Sequence, residues 1–371
     1  MALLEVQGLK VDLRTGRGRL SAVRGIDLSV GRGRTLCLVG ESGCGKSMTA
    51  LALMGLLPRI ATRSVERLRF DGEDLVAGGP RAIDALRGRR IGMIFQEPMT
   101  SLNPAFSVGE QMTEGVRRQM RLPDAEARRR AVAMLARVGI ANGEERLGQY
   151  PHQLSGGLRQ RVMIAMALMA EPDLLIADEP TTALDVTIQA QILRLLKSLQ
   201  QDNGIGLLLV THDLGVVAQM ADDVAVMYAG QIVERGPVGA VFGRPMHPYT
   251  RGLMACVPVP GRTAPGAMLG TIAGTVPSLT RPIAGCAFRE RCGMARAECA
   301  GRIPWRLAPP APPGPASPVP ASSGAAVGAV GAITAGAPSP GDPSPPHGRL
   351  CVLADDAGPA GEPRVSMAGA T

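Results

Sequence analysis

An α/β fold is predicted by three features of the sequence. Short apolar runs at Thr35–Val39, Leu174–Asp178 and Gly206–Thr211 read as buried strands, and the first two are followed by stretches of helical periodicity. A glycine-rich loop at residues 40–47 joins the first of these strands to its helix. Residues 3–30 instead alternate apolar and polar side chains around a polar turn at residues 14–19, the pattern of antiparallel strands in a small β layer.

Composition bounds what such a fold can be. With 371 residues and 45% hydrophobic content, the chain has material for a sizeable core and for two or three domains. Aromatic residues make up 2%, so packing must rest on Leu, Val, Ala and Met. The net charge of +8 comes from scattered arginines with acidic residues between them, and does not by itself point to nucleic acid or to an anionic membrane. The N-terminal residues run straight into a strand pattern without the form of a secretory signal. No apolar run approaches the ~18 residues of a membrane span, so a soluble, cytosolic chain is expected. Seven cysteines in that setting suggest metal or reactive thiols before disulfides.

The loop carries the chemistry. Gly40-Glu41-Ser42-Gly43-Cys44-Gly45-Lys46-Ser47 fits GxxxxGK[ST], in which backbone N–H groups curl around the phosphates of a nucleotide. Glycines allow the close approach, Lys46 reaches the β- and γ-phosphates, and the Ser47 hydroxyl coordinates Mg²⁺. Met48 opens the following helix and closes the nucleotide-binding segment.

Further along, residues 68–75 read as a hairpin turning at Asp71-Gly72, and residues 91–95 as a short buried strand ending on Gln96. Residues 108–139 form a helical stretch with Val116, Met120, Val132, Leu135 and Val138 on one side, a largely helical insertion in the core. Helices are also expected over residues 162–169 and 186–200. The strand ending at Asp178 delivers a carboxylate suited to Mg²⁺, with Glu179 beside it placed to take the proton of an attacking water. His212 follows the strand Gly206–Thr211, at the strand end where open α/β sheets put their sites. Residues 223–227 and 231–234 complete a last hairpin.

Together with Leu154-Ser155-Gly156-Gly157-Leu158-Arg159-Gln160-Arg161, these motifs resemble the ATP-binding subunit of an ABC transporter over residues 3 to about 300. The resemblance implies a phosphate-loop ATPase core with an antiparallel β subdomain and a helical subdomain, and a nucleotide sandwiched between two chains. Ser155, Gly156, Gly157 and Gln160 would then face ATP held by the partner, and Asp185 would lie in the loop that crosses the dimer interface. It further implies that Ser47, Gln96 and Asp178 hold Mg²⁺, that Glu179 is the general base, and that His212 and Lys46 contact the γ-phosphate. Leu13 stands where the family usually offers an aromatic ring to adenine.

Residues 177–192 and 95–104, with His247-Pro248-Tyr249-Thr250, are similar to the oligopeptide and dipeptide importers, whose relatives carry nickel or other small solutes. That branch implies a second ABC ATPase subunit, two transmembrane permease subunits, an extracytoplasmic solute-binding protein, and a peripheral position on the cytoplasmic face of the bacterial inner membrane, with no nucleic acid partner. The alternatives are a soluble ABC ATPase acting on nucleic acid or ribosomes, which would usually show a second nucleotide domain or a long coiled-coil insertion, and a subunit that binds ATP without hydrolysing it. The expected divisions are 1–246 for the nucleotide-binding domain, with its helical part at about 97–165, then 247–306 for a C-terminal extension, 307–348 for a disordered Pro/Ala/Gly-rich insertion, and 349–371 for a tail.

Cys286, Cys292 and Cys299 are spaced more widely than the paired cysteines of zinc modules, so spacing alone does not identify a metal. The resemblance implies a four-iron four-sulfur cluster on these three and Cys351, with zinc or unligated thiols as the alternative. Cys351 lies much farther along the chain than the family usually places its last ligand, beyond the proline-rich stretch. Cys37 and Cys256 read as buried small hydrophobes.

Overall fold

The computed structural model describes residues 2–16, 18–97, 101–182, 184–257, 270–307 and 346–351. β1 (Ala2–Thr15) and β2 (Gly18–Gly31) form one long antiparallel hairpin, in register from Ala2 opposite Gly31 to Thr15 opposite Gly18. Its apolar positions, among them Leu4, Val6, Leu9 and Val11 on β1 and Ile26, Leu28 and Val30 on β2, are buried.

After β3 (Thr35–Val39) and α1 (Lys46–Met54), β4 (Ala61–Ser64) and β5 (Arg67–Phe70) pair along the other edge of β1. β6 (Glu73–Asp74) then folds back onto β5. Asp71 and Gly72 at that turn have φ of 53° and 83°, the left-handed conformations that an Asp-Gly pair accommodates.

α2 (Gly79–Leu86) and β7 (Ile91–Ile94) lead into the helical region. The helical stretch expected over residues 108–139 consists of two helices, α3 (Val108–Met120) and α4 (Asp124–Arg137). Arg121 at φ 54° ends the first, and Pro123, which cannot donate a backbone hydrogen bond, caps the second. α5 (Gly143–Leu147) follows, then α6 (Gly156–Leu168), which starts six residues earlier than expected because Ser155 caps it. Val108, Met112, Val116 and Leu135 belong to the same packed cluster as Cys37, Val39 and Ile94 of the main sheet. The helical part therefore shares the core of the nucleotide-binding domain instead of having its own. Val138 is also buried there, whereas Met120, the last residue of α3, is exposed.

β8 (Leu174–Asp178), α7 (Val186–Asn203), β9 (Gly206–Thr211), α8 (Leu214–Met220), β10 (Asp223–Tyr228) and β11 (Gln231–Pro237) complete the core. In the main sheet β10, β3, β9, β8 and β7 are successive parallel neighbours. Every residue of β3, β8, β9 and β10 is buried, as expected of strands covered on both faces.

Beyond the core, α9 (Val238–Gly243) and α10 (Pro248–Ala255) are followed by residues 270–307, β12 (Trp305–Leu307) and β13 (Gly348–Leu350). β13 pairs antiparallel with both β11 and β12, so the chain beyond the proline-rich stretch extends the main sheet. The expected insertion at 307–348 lies outside the described residues except at its ends, where Leu307 and Gly348 are in strands. Buried Glu234 fastens this region. Its carboxylate accepts from the Met246 N–H at 2.8 Å and the His247 N–H at 2.9 Å, and lies 2.8 Å from His347 Nε2. His247 Nδ1 accepts the Tyr249 N–H at 3.0 Å and caps α10.

Candidate functional site

The phosphate loop leaves β3 in a tight space. A Cβ on Gly40 would lie 2.1 Å from Met227 O, and one on Gly45 would lie 2.4 Å from Ala22 O. Gly45 also has a φ of 108°, so β2 and β10 together make glycine obligatory at both positions. α1 begins at Lys46, two residues before the expected start, and no side chain caps its N-terminus, which leaves its N–H groups directed at the loop. The buried Lys46 Nζ lies 2.9 Å from Gly40 O and 3.1 Å from Glu41 O, holding the amine inside the loop.

Three strand ends bring the remaining chemistry to this loop. Asp178 closes β8, and its Oδ1 accepts from Ser47 Oγ at 3.0 Å. Burial raises the Asp178 carboxyl above its ordinary range, the hydrogen bond from Ser47 opposes that, and the charge of Glu179 adds to it. Glu179 is held at φ 44°, an unusual conformation for a non-glycine residue that costs on the order of 1 kcal/mol or more. Its Oε2 accepts from Gln96 Nε2 at 3.2 Å and from Thr182 Oγ1 at 2.9 Å, and its Oε1 lies 3.3 Å from His212 Nδ1. The Glu179 side chain is 12% exposed and the His212 side chain 60%, so the carboxylate is shielded while the imidazole faces outward. Gln96, Glu179 and His212, chosen separately from the sequence, thus form one constellation beside Ser47 and Asp178. Thr182 had no distinguishing signal in the sequence.

The signature residues lie elsewhere. Ser155 and Gly156 are exposed at the start of α6, and Ser155 Oγ accepts the Leu158 N–H. Asp185 is exposed at the cap of α7, where its Oδ1 accepts the Ile188 N–H at 2.9 Å, and Val186 beside it is 83% exposed. A Cβ on Gly157 would come 3.1 Å from Ile188, so the signature turn and the Asp185 turn are neighbours. Gln160 departs from expectation. It is 1% exposed and donates to Pro180 O, because it shares a helix face with buried Met163 and Ile164. It braces the loop after Glu179 instead of presenting a side chain to another molecule.

Leu13 packs against the smaller of the two core clusters and lines a cavity of about 440 Å³ with Asp12, Arg14, Thr15, Arg19 and Thr62. Contacts from the C-terminal extension to the loop were missed altogether. Glu41 is paired with Arg291, and its N–H donates to Tyr249 Oη at 2.9 Å.

The cysteines of the extension converge. The Cys286 N–H donates to Cys299 O at 2.8 Å, and the Arg296 N–H donates to Cys299 Sγ at 3.4 Å. β13 carries Cys351 into the same region, within electrostatic reach of Cys286 and Cys292. Burial pushes the Cys286 thiol up to about 11, with neighbouring thiols adding to the effect. Among the described residues, no group of three or more His, Cys, Asp or Glu is arranged to hold a metal ion. Cys37 is fully buried as expected, whereas Cys256 is partly exposed.

Comparison with known proteins agrees with this geometry. The family described as ABC transporter matches residues 23–182, and the oligopeptide/dipeptide transporter C-terminal region matches residues 233–299. The chain is 49% identical over 298 residues to the dipeptide transport ATP-binding protein DppD of Bacillus subtilis (strain 168), covering 80% of this chain and 88% of that protein. The chain belongs to the ABC transporter family. It is likewise 50% identical over 295 residues to the oligopeptide transport ATP-binding protein OppD of the same organism, covering 79% of this chain and 82% of that one. Among solved structures, cbiO1 from Clostridium perfringens matches with a TM-score of 0.56 at 32% identity, covering 66% of this chain and 91% of that one. A dimeric post-hydrolysis state of the ATP-binding cassette MJ0796, bound to ADP and Pi, matches with a TM-score of 0.57 at 25% identity, covering 63% of this chain and 98% of that one. The chain is therefore an ABC-type ATPase, and residues 40–47 lie within its matched ATP-binding domain.

Proposed function

We propose that this ABC ATPase drives the import of di- and oligopeptides, as a peripheral subunit on the cytoplasmic face of the bacterial inner membrane. The observation that carries the peptide assignment is the match of residues 233–299 to the oligopeptide/dipeptide C-terminal region, with relatives of half-identical sequence named for peptide transport. No helix among the described residues is long and apolar enough to cross a membrane, and in this reading two permease subunits form the path. The dimeric ATP-binding cassette among the similar structures supports pairing with a second ATPase subunit.

The geometry supports the following chemistry. Lys46 and the N–H groups of the loop hold the β- and γ-phosphates of ATP. The oxygens of Ser47 and Asp178, 3.0 Å apart, and the Gln96 side chain are hard donors that suit Mg²⁺, which would neutralise charge on the phosphates. Glu179 accepts a proton from the water that attacks the γ-phosphorus. As the new P–O bond forms, the bond to the bridging oxygen breaks and ADP leaves. His212, next to Glu179, contacts the γ-phosphate. The exposed Ser155 and Gly156, with the half-buried Gly157, meet the ATP of the partner subunit, with the N-terminus of α6 contributing favourable dipole charge. Closure of the pair is passed to the permeases through α3 and α4.

The four cysteines constitute, in this reading, a site for a four-iron four-sulfur cluster. Support comes from the convergence of Cys286, Cys292, Cys299 and Cys351, the last of them brought from beyond the proline-rich stretch. Their arrangement does not suit a single ion, but a cluster spreads its thiolates farther apart than one ion would. Anaerobic reconstitution followed by visible and EPR spectroscopy tests the site, and colourless, iron-free protein would argue against it.

The transport assignment is tested by reconstituting the complete transporter in liposomes with its binding protein. ATP-dependent accumulation of labelled di- or oligopeptide is expected. Uptake of nickel with no peptide uptake would replace the peptide assignment.

A further inference from the structure

Glu41 is the second residue of the phosphate loop, so it sets a carboxylate close to where ATP brings its anionic triphosphate. An unneutralised charge there would oppose binding. Arg291 answers it from the C-terminal extension, with Nη1 2.8 Å from Glu41 Oε2 and Nη2 3.1 Å from Glu41 Oε1. This two-pronged pair is shielded, the arginine side chain being 6% exposed and the glutamate 25%.

Arg291 is itself held in place. Its Nη2 donates to Ile272 O at 3.0 Å and its Nε to Ala273 O at 2.9 Å, while the guanidinium lies 5.7 Å from the ring centre of Tyr228 and 5.9 Å from that of Phe288. Tyr228, Tyr249 and Phe288 pack with ring centres 4.6 to 5.4 Å apart, an aromatic cluster in a chain with three tyrosines and five phenylalanines. The hydroxyl of Tyr249 accepts the Glu41 N–H, turning that loop donor away from the nucleotide. The loop is thus gripped at its second residue by both side chain and backbone, from residues outside the nucleotide-binding core.

We propose that the C-terminal extension tunes the ATP site: Arg291 cancels the charge of Glu41 and, with Tyr249, fixes the loop in its phosphate-binding shape. The proposal rests on the reading of residues 40–47 as the ATP-binding segment. Arg291 is a positioning residue that touches no phosphate, and its effect on ATP is exerted through Glu41.

A charge cycle in the full-length chain tests this, read by equilibrium titration with a fluorescent ATP analogue and Mg²⁺ at low and high salt. Arg291→Ala is expected to weaken binding about tenfold, more at low salt than at high. Adding Glu41→Gln to Arg291→Ala is expected to restore affinity to within about threefold of wild type, a rescue that lost packing alone would not give. Glu41→Gln by itself is expected to bind as tightly as wild type or tighter. Should Arg291→Ala fail to fold by circular dichroism, Arg291→Gln carries the test, because it keeps a polar side chain of similar reach while removing the charge that faces Glu41. It is expected to weaken binding a few-fold and to be rescued by Glu41→Gln. Unchanged affinity in a folded Arg291 variant, or no rescue by Glu41→Gln, overturns the proposal. Lys46→Ala separates the two readings. If it binds ATP normally, the assignment of the loop fails; if it loses ATP while Arg291→Ala keeps it, the present proposal alone fails.

Discussion

Glu179 Oε1 lies 3.3 Å from His212 Nδ1, a contact between the residues that follow two adjacent parallel strands, β8 and β9. The carboxylate and the imidazole are therefore set by the sheet itself, which fixes the distance between the proposed base and the residue proposed to face the γ-phosphate. His212→Ala is expected to lower the ATP turnover of the assembled transporter by about 10²-fold with little change in KM for ATP, the size seen when one donor to a developing charge is removed. Steady-state kinetics separate this from a binding defect, which would raise KM instead.

Ser47 and Asp178 meet across α1 and β8 at 3.0 Å. Ser47→Ala removes a Mg²⁺ donor without changing charge and is expected to weaken Mg·ATP binding by roughly tenfold or more, while leaving Mg-free ATP binding nearly unchanged. Calorimetric titration with and without Mg²⁺ gives both numbers. Equal losses in the two conditions would mean that Ser47 acts on the fold of the loop.

Burial lowers the His247 imidazole from its ordinary 6.5 to about 4, against the opposing influence of Glu234. The unfolded chain takes up this proton first as pH falls. Stability from the neutral imidazole is thus complete above about pH 6.5, declines between 6.5 and 4, and changes no further below that. His247→Asn retains an acceptor for the Tyr249 N–H but cannot titrate. The stability difference between wild type and this variant is expected to shift by on the order of 3 kcal/mol across that window, measured by denaturant unfolding at several pH values.

Much of this was legible in the sequence, for reasons that differ along the chain. The strands around the loop were readable because strands buried on both faces are apolar throughout, and residues 40–47 because a loop that wraps phosphate leaves little choice of residue. The break at Pro123 was also present in the sequence, since proline cannot continue a helix, yet the flanking periodicity concealed it. The place of Gln160 is not legible from its motif alone, because helical spacing turns its side chain away from the surface and toward Met163 and Ile164. The pairing of Glu41 with Arg291 left no trace at all. It joins residues far apart in the chain, and Arg291 is one of 40 basic residues with nothing local to distinguish it.

Glu234 shows how the tail is retained. It is fully buried and accepts from two backbone N–H groups and from His347. Glu234→Ala leaves those donors without an acceptor and is expected to cost roughly 3–5 kcal/mol. The melting temperature should fall accordingly, and limited proteolysis should cut more readily near residues 346–351. A melting curve like that of wild type would show that β13 is held by its strand pairing alone.

The central claim is that Glu179 is the base of an ATPase. The decisive measurement compares Glu179→Gln with wild type in the assembled transporter, following phosphate release and ATP binding in parallel. Retained ATP binding with phosphate release reduced at least about 10²-fold is the expected result. Phosphate release at the wild-type rate would contradict it.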